Sequence, residues 1–426
     1  MKQNKEEYNE QEVQQEIPSI LSKQKILLGD GVLWVILAMF FAISMVVVYS
    51  ASSQLGFREG STSIYLKKHI VTIGFSIGIV ALFYLFKARW LRKFTMLAYI
   101  GSLLATIVPY FQAPINGAHR WLDLGFFMFQ SSELLKIATI MLLAAQLSSK
   151  HHIIKKIHLL PTTFNVRKWF SKEELEVIRT EIIPILSPIA LTCMVILPDA
   201  TSSAIHIFIV SMVMLFIAGI RWSEIAKLVI IAGVLGLTVI YTVGRGDTVT
   251  SRVKSWLGHE KVEKPKSNLL ERYTDSEKAR MAMYNGGLFG VGAGRSVMRA
   301  RLMHPESDYL FGFMIEEFGL ILSFVIVLLY LWLFFRALRI FERCEWLYAG
   351  LLAVGLALLI TSQGFLHIGV SIGMIPETGQ NLPFLTQGRT GMFCASIAVG
   401  IILGISRQVE QGTLVPPSQK NENKPI

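Results

Sequence analysis

Five charged residues stand inside stretches that are otherwise apolar: Glu133 and Lys136, Asp199, and the adjacent Glu316 and Glu317. A sixth, Asp308, stands behind His304-Pro-Glu-Ser where another apolar stretch begins. Each of the five would cost about 2.5–3.5 kcal/mol near the centre of a lipid-facing helix. They must therefore face a protein interior or an aqueous cavity. Glu133 and Lys136 lie one helical turn apart, the spacing of a buried ion pair and equally of a polar wall against which a substrate could sit. Asp308 can shed water at its boundary without full burial. It suits two jobs, capping the helix that follows or accepting a proton from a reacting group; Glu316 is too far along to complete a capping box.

These residues need a membrane to position them. Of 426 residues, 52% are hydrophobic and 17% charged, against about 25% charged in a soluble domain. Apolar runs predict ten spans, at 32–52, 69–88, 94–111, 127–147, 182–197, 201–219, 225–244, 309–335, 346–370 and 384–405. The expected architecture is an all-α integral membrane protein with a large external loop between the seventh and eighth spans. A cytosolic globular enzyme is excluded. The net charge of +11 comes from short basic runs between spans rather than from one basic face, so no nucleic-acid partner is expected. Cys193, Cys344 and Cys394 have no C-x-x-C spacing and encode neither a disulfide framework nor a zinc site.

Charge sets the expected orientation. Lys87, Arg89, Arg92 and Lys93 follow the second span, seven Lys or Arg occupy 148–181, and Arg336, Arg339 and Arg343 follow the eighth. The positive-inside rule makes those loops cytoplasmic, together with the polar tails 1–30 and 408–426 that flank a membrane domain over 31–407. The first span is expected to serve as the insertion signal and to stay. The loop at 245–307 is then external, although it carries twelve Lys or Arg; a loop of roughly 60 residues translocates largely regardless of charge. It is either a solvated surface or a site for a polyanion. Within it, Asn285-Gly-Gly-Leu-Phe-Gly-Val-Gly-Ala-Gly294 holds five glycines in ten residues. It reads as a flexible loop or as backbone that approaches a ligand or another segment closely, and not as a dinucleotide fingerprint, which needs a preceding strand.

Several segments resemble the SEDS family (shape, elongation, division and sporulation), to which RodA, FtsW and SpoVE belong. They are Tyr49-Ser50-Ala51-Ser52-Ser53; Asn116-Gly-Ala-His-Arg120-Trp121-Leu-Asp123-Leu-Gly125 with Phe129-Gln130-Ser-Ser-Glu133-Leu-Leu-Lys136; Pro198-Asp199 with Thr201; Gly286 to Gly292; Ser307-Asp308-Tyr-Leu-Phe311; and Glu316-Glu317-Phe-Gly319. The chain departs from the family pattern at Ser131, Ala200, Lys278 and most of all at Thr386-Gln387-Gly388-Arg389-Thr390-Gly391, where an arginine replaces a glycine.

The resemblance implies a bacterial cytoplasmic-membrane glycosyltransferase that polymerises lipid II into glycan strands beside a class B penicillin-binding protein, in cell shape, division or sporulation. It puts Asp308 on the family's catalytic aspartate. Arg120, with Lys278 and Arg280, is expected to meet the departing pyrophosphate, and Glu133, Lys136 and Asp199 to line the substrate cavity. A divalent cation, Mg or Mn, fits that chemistry, although no ligand cluster in the sequence demands one. Two alternatives stand beside this reading, a lipid II flippase and a catalytically weak scaffold for the penicillin-binding protein. Arg389 either lies close enough to Asp308 to make it a poorer base or snorkels to headgroups.

Overall fold

The computed structural model describes residues 28–59, 62–112, 119–123, 125, 128–154, 176–242, 246–257, 275–297 and 309–414. All ten predicted spans are helices: α1 (Gly31–Glu59), α2 (Thr62–Leu85), α3 (Ala88–Ile107), α4 (Ser131–Ser149), α5 (Ile183–Ile196), α6 (Thr201–Ile217), α7 (Trp222–Thr242), and, after two further helices α8 (Gly246–Trp256) and α9 (Asp275–Gly286), α10 (Leu310–Glu342), α11 (Leu347–Ser371) and α12 (Arg389–Glu410). Among the described residues, eight helices are long and apolar enough to cross a membrane. The other two of the ten are α4 and α6. Helix α4 is largely buried, so neighbouring helices rather than lipid surround it and its polar residues are tolerated, whereas α6 is a shorter apolar helix of 17 residues that also turns Ile205, Ile209 and Phe216 outward.

The layers form around α11, which is buried along nearly its whole length. Helix α10 packs on α11 and α9, α12 on α2, and α4 on α3. Helix α7 stands at the periphery and buries only Glu224, Ile225 and Ile240. Several boundaries differ from the sequence reading: α1 runs on to Glu59, α2 starts at Thr62 and α3 at Ala88, and three more differ as follows. Helix α4 starts at Ser131 rather than 127 because Met128–Phe129 (β2) pairs antiparallel with Leu122–Asp123 (β1), Leu122 opposite Phe129. Helix α10 runs on to Glu342. Helix α12 starts at Arg389 rather than 384 because Phe384 takes a left-handed backbone, φ 66°. That conformation costs on the order of 1–3 kcal/mol, and packing holds it. The Phe384 ring stacks on Phe40 at 5.4 Å and meets Phe41 edge-on at 5.7 Å, while the Tyr330 hydroxyl donates to the Pro383 carbonyl at 2.5 Å.

The end of the bundle nearest the chain termini is tied by side chains. Asp30 caps α1, accepting from the Val32 amide at 2.9 Å, and its other oxygen pairs with Arg336 Nη2 at 2.6 Å. The Asp30 amide donates to Ser406 Oγ at 2.9 Å, and Gln408 Oε1 accepts from the Ala88 amide at 3.0 Å. Arg407 lies over the Tyr84 ring at 4.5 Å. Residues far apart in the chain thus meet at one knot.

Candidate functional site

Glu133 sits in the first turn of α4, where the helix dipole favours a carboxylate. One turn on, Lys136 is fully buried and places its Nζ 2.8 Å from Glu133 Oε1. A buried pair needs further hydrogen bonds to offset desolvation, and Gln363 of α11 provides one, its Oε1 3.3 Å from Lys136 Nζ. The same side chain donates from Nε2 to the Asn381 carbonyl at 3.2 Å. Beside the pair lies a cavity of ≈ 20 Å³ lined by Glu133, Gln363, Pro383 and Gly391 among others. It has room for about one water.

The 372–388 segment between α11 and α12 gathers the remaining elements. Ser202 at the start of α6 donates to the Thr378 carbonyl at 2.5 Å, and Gln380 Nε2 donates to Ser203 Oγ at 2.8 Å. Asp199 is buried in the turn just before them. From α8, Trp256 Nε1 donates to the Gly373 carbonyl at 2.9 Å and Arg252 to the Glu377 carbonyl at 3.3 Å. Arg280 of α9 shares the Gly373 carbonyl at 3.2 Å. The exposed guanidinium expected to meet phosphate is therefore also a clamp on this turn. Lys278 is half-buried on the same helix.

Glu316 and Glu317 tie the glycine segment down. Helix α10 breaks at Gly319, where φ is 81° and ψ 170°, and the opened main chain pairs with the glycine segment. Val291 and Gly292 amides donate to the Glu316 and Glu317 carbonyls at 2.8 and 3.0 Å, and the Leu320 amide donates to the Gly287 carbonyl at 3.0 Å. A Cβ at Gly290 would lie 2.3 Å from the Glu317 oxygen, and one at Gly319 2.3 Å from the Leu288 oxygen. Glycine is required at both. The carboxylates close the latch. Glu316 accepts from Asn285 Nδ2 and the Val297 amide, each at 3.1 Å, and from the Ser296 hydroxyl. Glu317 accepts from the Gly294 amide at 3.0 Å and from the Ser50 hydroxyl of α1.

Arg120 is half-buried just ahead of β1. Its neighbour His119 stacks on Tyr110 at 6.0 Å, and Tyr110 donates to the Val195 carbonyl at 2.8 Å, which ties this loop to α5. Asp123 Oδ1 accepts from the Gly125 amide at 2.8 Å in the turn between the two strands. Arg389 is exposed at the first position of α12, and the adjacent Thr390 Oγ1 accepts from the Gln130 amide at 3.3 Å. Asp308 lies outside the described residues; Tyr309, which follows it, is buried and gives its hydroxyl to the Glu377 carboxylate. Among the described residues no group of three or more His, Cys, Asp or Glu is placed to hold a metal ion.

The same elements are matched from end to end by a family model described as "Cell cycle protein", FtsW/RodA/SpoVE, which covers residues 30–411. The chain belongs to the FtsW/RodA/SpoVE family. It is 29% identical over 389 residues to the "Probable peptidoglycan glycosyltransferase FtsW" of Coxiella burnetii, covering 88% of this chain and 96% of that one. It is equally 29% identical to the Stage V sporulation protein E of Bacillus subtilis, over 89% of this chain and 97% of that one. Its fold is similar to Thermus thermophilus RodA at a TM-score of 0.57 and 19% identity, over 92% and 99% of the two chains. A chain from a solved structure described as "Structural coordination of polymerization and crosslinking by a peptidoglycan synthase complex" matches at a TM-score of 0.63 and 19% identity, over 89% and 98%.

Within this family fold, the structure brings together Glu133 with Lys136 and Arg280 with the 372–388 segment. It adds residues that sequence reasoning passed over. Gln363 joins α4 to α11 and, through the Asn381 carbonyl, to the 372–388 segment, and Ser50, Asn285 and Ser296 complete the glutamate latch. Ser50 had a signal, its place in the Tyr49–Ser53 motif. Gln363, Asn381 and Glu377 are single polar residues with no spacing pattern.

Proposed function

We propose that the protein is a peptidoglycan glycosyltransferase that polymerises lipid II at the outer face of the bacterial cytoplasmic membrane. The observation that carries this reading is the family match over nearly the whole chain, with relatives named for that activity across almost their full length. In the reaction an acceptor sugar hydroxyl attacks the anomeric carbon of the donor. The new glycosidic C–O bond forms as the bond to the undecaprenyl pyrophosphate breaks, and the hydroxyl proton passes to the Asp308 carboxylate. Arg120, with Lys278 and Arg280, faces the charge that builds on the pyrophosphate.

In this reading both termini are cytoplasmic and the loop containing α8 and α9 is external, where it meets the sugars. Glu133, Lys136 and Asp199 stiffen the wall beneath the site. Asp308 would be the residue to hold a divalent cation, which would supply further charge stabilisation for the departing pyrophosphate. The partner is a class B penicillin-binding protein, a pairing supported by the likeness to a synthase complex in which polymerization and crosslinking are coordinated. The test is to give purified full-length protein lipid II in proteoliposomes and follow both polymer and sidedness. Glycan strands are expected. Transfer of lipid II between leaflets with no polymer would overturn the proposal.

A further inference from the structure

The turn between α2 and α3 presents a basic, aromatic corner at the end of the bundle nearest the termini. Lys87, Arg89, Trp90, Lys93 and Phe94 are exposed, while Ala88, Leu91 and Thr95 face inward and are buried. The turn is pinned from α12. Gln408 Nε2 donates to the Phe86 carbonyl at 3.3 Å, its Oε1 accepts from the Ala88 amide at 3.0 Å, and Arg407 donates to the Leu85 carbonyl at 3.1 Å. Rings and cations are ordered against one another. Trp90 stacks on Phe94 at 5.9 Å, Lys93 Nζ lies 5.4 Å from the Trp90 ring, and Arg92 lies over Trp346 and Tyr348 at 5.6 and 5.7 Å. The sequence holds no Asp or Glu between Glu59 and Asp123. Among the described residues, no carboxylate forms an ion pair with Lys87, Arg89, Arg92 or Lys93.

We propose that this corner is a binding site for the headgroup of an anionic phospholipid, in the leaflet that the proposed orientation makes cytoplasmic. Arg89 and Lys93 stand one helical turn apart on one face of α3, where a single phosphate can meet both. Further along the same face Met96, Leu97, Ile100 and Leu104 are exposed and apolar. Cations followed by an apolar strip match a phospholipid from phosphate to acyl chain, and Trp90 stands at the level where indole rings meet headgroups. Membrane orientation alone asks only for positive charge on one side. It does not ask for cations laid over rings on a pinned turn. A soluble acidic partner would use the charges and leave the apolar strip without a role. Each cation near the surface raises the local share of anionic lipid about 5-fold.

Photolabelling of the full-length protein in phosphatidylcholine nanodiscs tests this. The probe is phosphatidylglycerol with a diazirine near the head of its acyl chain, and the matching phosphatidylcholine is the neutral control. Peptide mapping should find the first three turns of α3 labelled about 5-fold or more in favour of phosphatidylglycerol. The double variant Arg89→Gln with Lys93→Gln should lose most of that preference. Its thermal unfolding should not change, because both side chains are exposed and unpaired. In wild type, 1 M salt should also remove the preference, since screening then acts within about 3 Å. An excess of free glycerol phosphate should leave it intact, because the apolar strip holds the lipid and not the free anion. Equal labelling by the two probes in wild type, a preference that survives in the double variant, or its loss to free glycerol phosphate would each overturn the proposal. The labelling needs no lipid II, so its outcome stands apart from the glycosyltransferase reading.

Discussion

The two ends of the bundle are held by different physics. At the end nearest the termini, side chains do the tying: Asp30 with Arg336, Ser406 with the Asp30 amide, Gln408 with Ala88. At the other end main chain meets main chain, with the glycine segment paired along the break in α10 and two buried glutamates closing it. Side-chain ties at a partly wet surface are individually weak and replaceable. A main-chain dock built around glycines allows no added atom, because the neighbour it would strike is backbone. The family's sequence signatures fall mostly at the second kind of end.

The sharpest way to break this contrast is Gly319→Ala. Its φ of 81° and a Cβ 2.3 Å from the Leu288 oxygen should together cost about 3–5 kcal/mol. Thermal unfolding in detergent should show a large loss, and a variant as stable as wild type would contradict the docked arrangement. Lys136→Met comes next. It leaves Glu133 buried without its 2.8 Å partner, at a cost of about 3–5 kcal/mol. Adding Glu133→Gln should recover much of that loss, since an unpaired charge costs more than a removed pair.

Asp30→Asn tests the weaker end. Asparagine still caps α1, so only the 2.6 Å pairing with Arg336 is lost. The loss should be about 1–3 kcal/mol, because the Asp30 carboxylate is nearly buried and also accepts from Arg336 Nε at 2.7 Å, and high salt should change it little. The smallest effect concerns Cys344, in the turn between α10 and α11, where burial pushes the thiol up to about 11. At pH 8 only ~0.1% of it is thiolate, the reactive form. Alkylation of folded protein at Cys344 should therefore be slow and should accelerate as pH rises toward 11. Labelling as fast as that of an exposed cysteine would show this end to be looser than its contacts imply.

Much of this was legible in the sequence. Apolar runs of the right length located all ten helices, because the requirement to satisfy backbone groups in lipid leaves few alternatives. The buried charges announced an interior lining, since their cost at a lipid face is so high. The partners were not legible. Glu316 and Glu317 reach Asn285, Ser296 and Ser50 across a helix break that only the glycine segment's path explains. The Gly286–Gly294 run could have been a ligand loop or a packing surface, and spacing alone does not choose between them. Helix ends shifted where local pairing or a left-handed Phe384 won over hydrophobicity. Arg280 shows the same limit, because a basic residue between two spans looks the same in sequence whether it meets a phosphate or a carbonyl.

The proposed function puts the base of a lipid II polymerase at Asp308, two residues ahead of α10 in the sequence. Its most direct test is the rate of glycan polymerisation by full-length protein bearing Asp308→Asn, an isosteric change that removes the proton acceptor. The expected result is a loss of about 10²–10⁴-fold with an unaltered thermal unfolding profile. A variant that polymerises lipid II within a few-fold of wild type would contradict it.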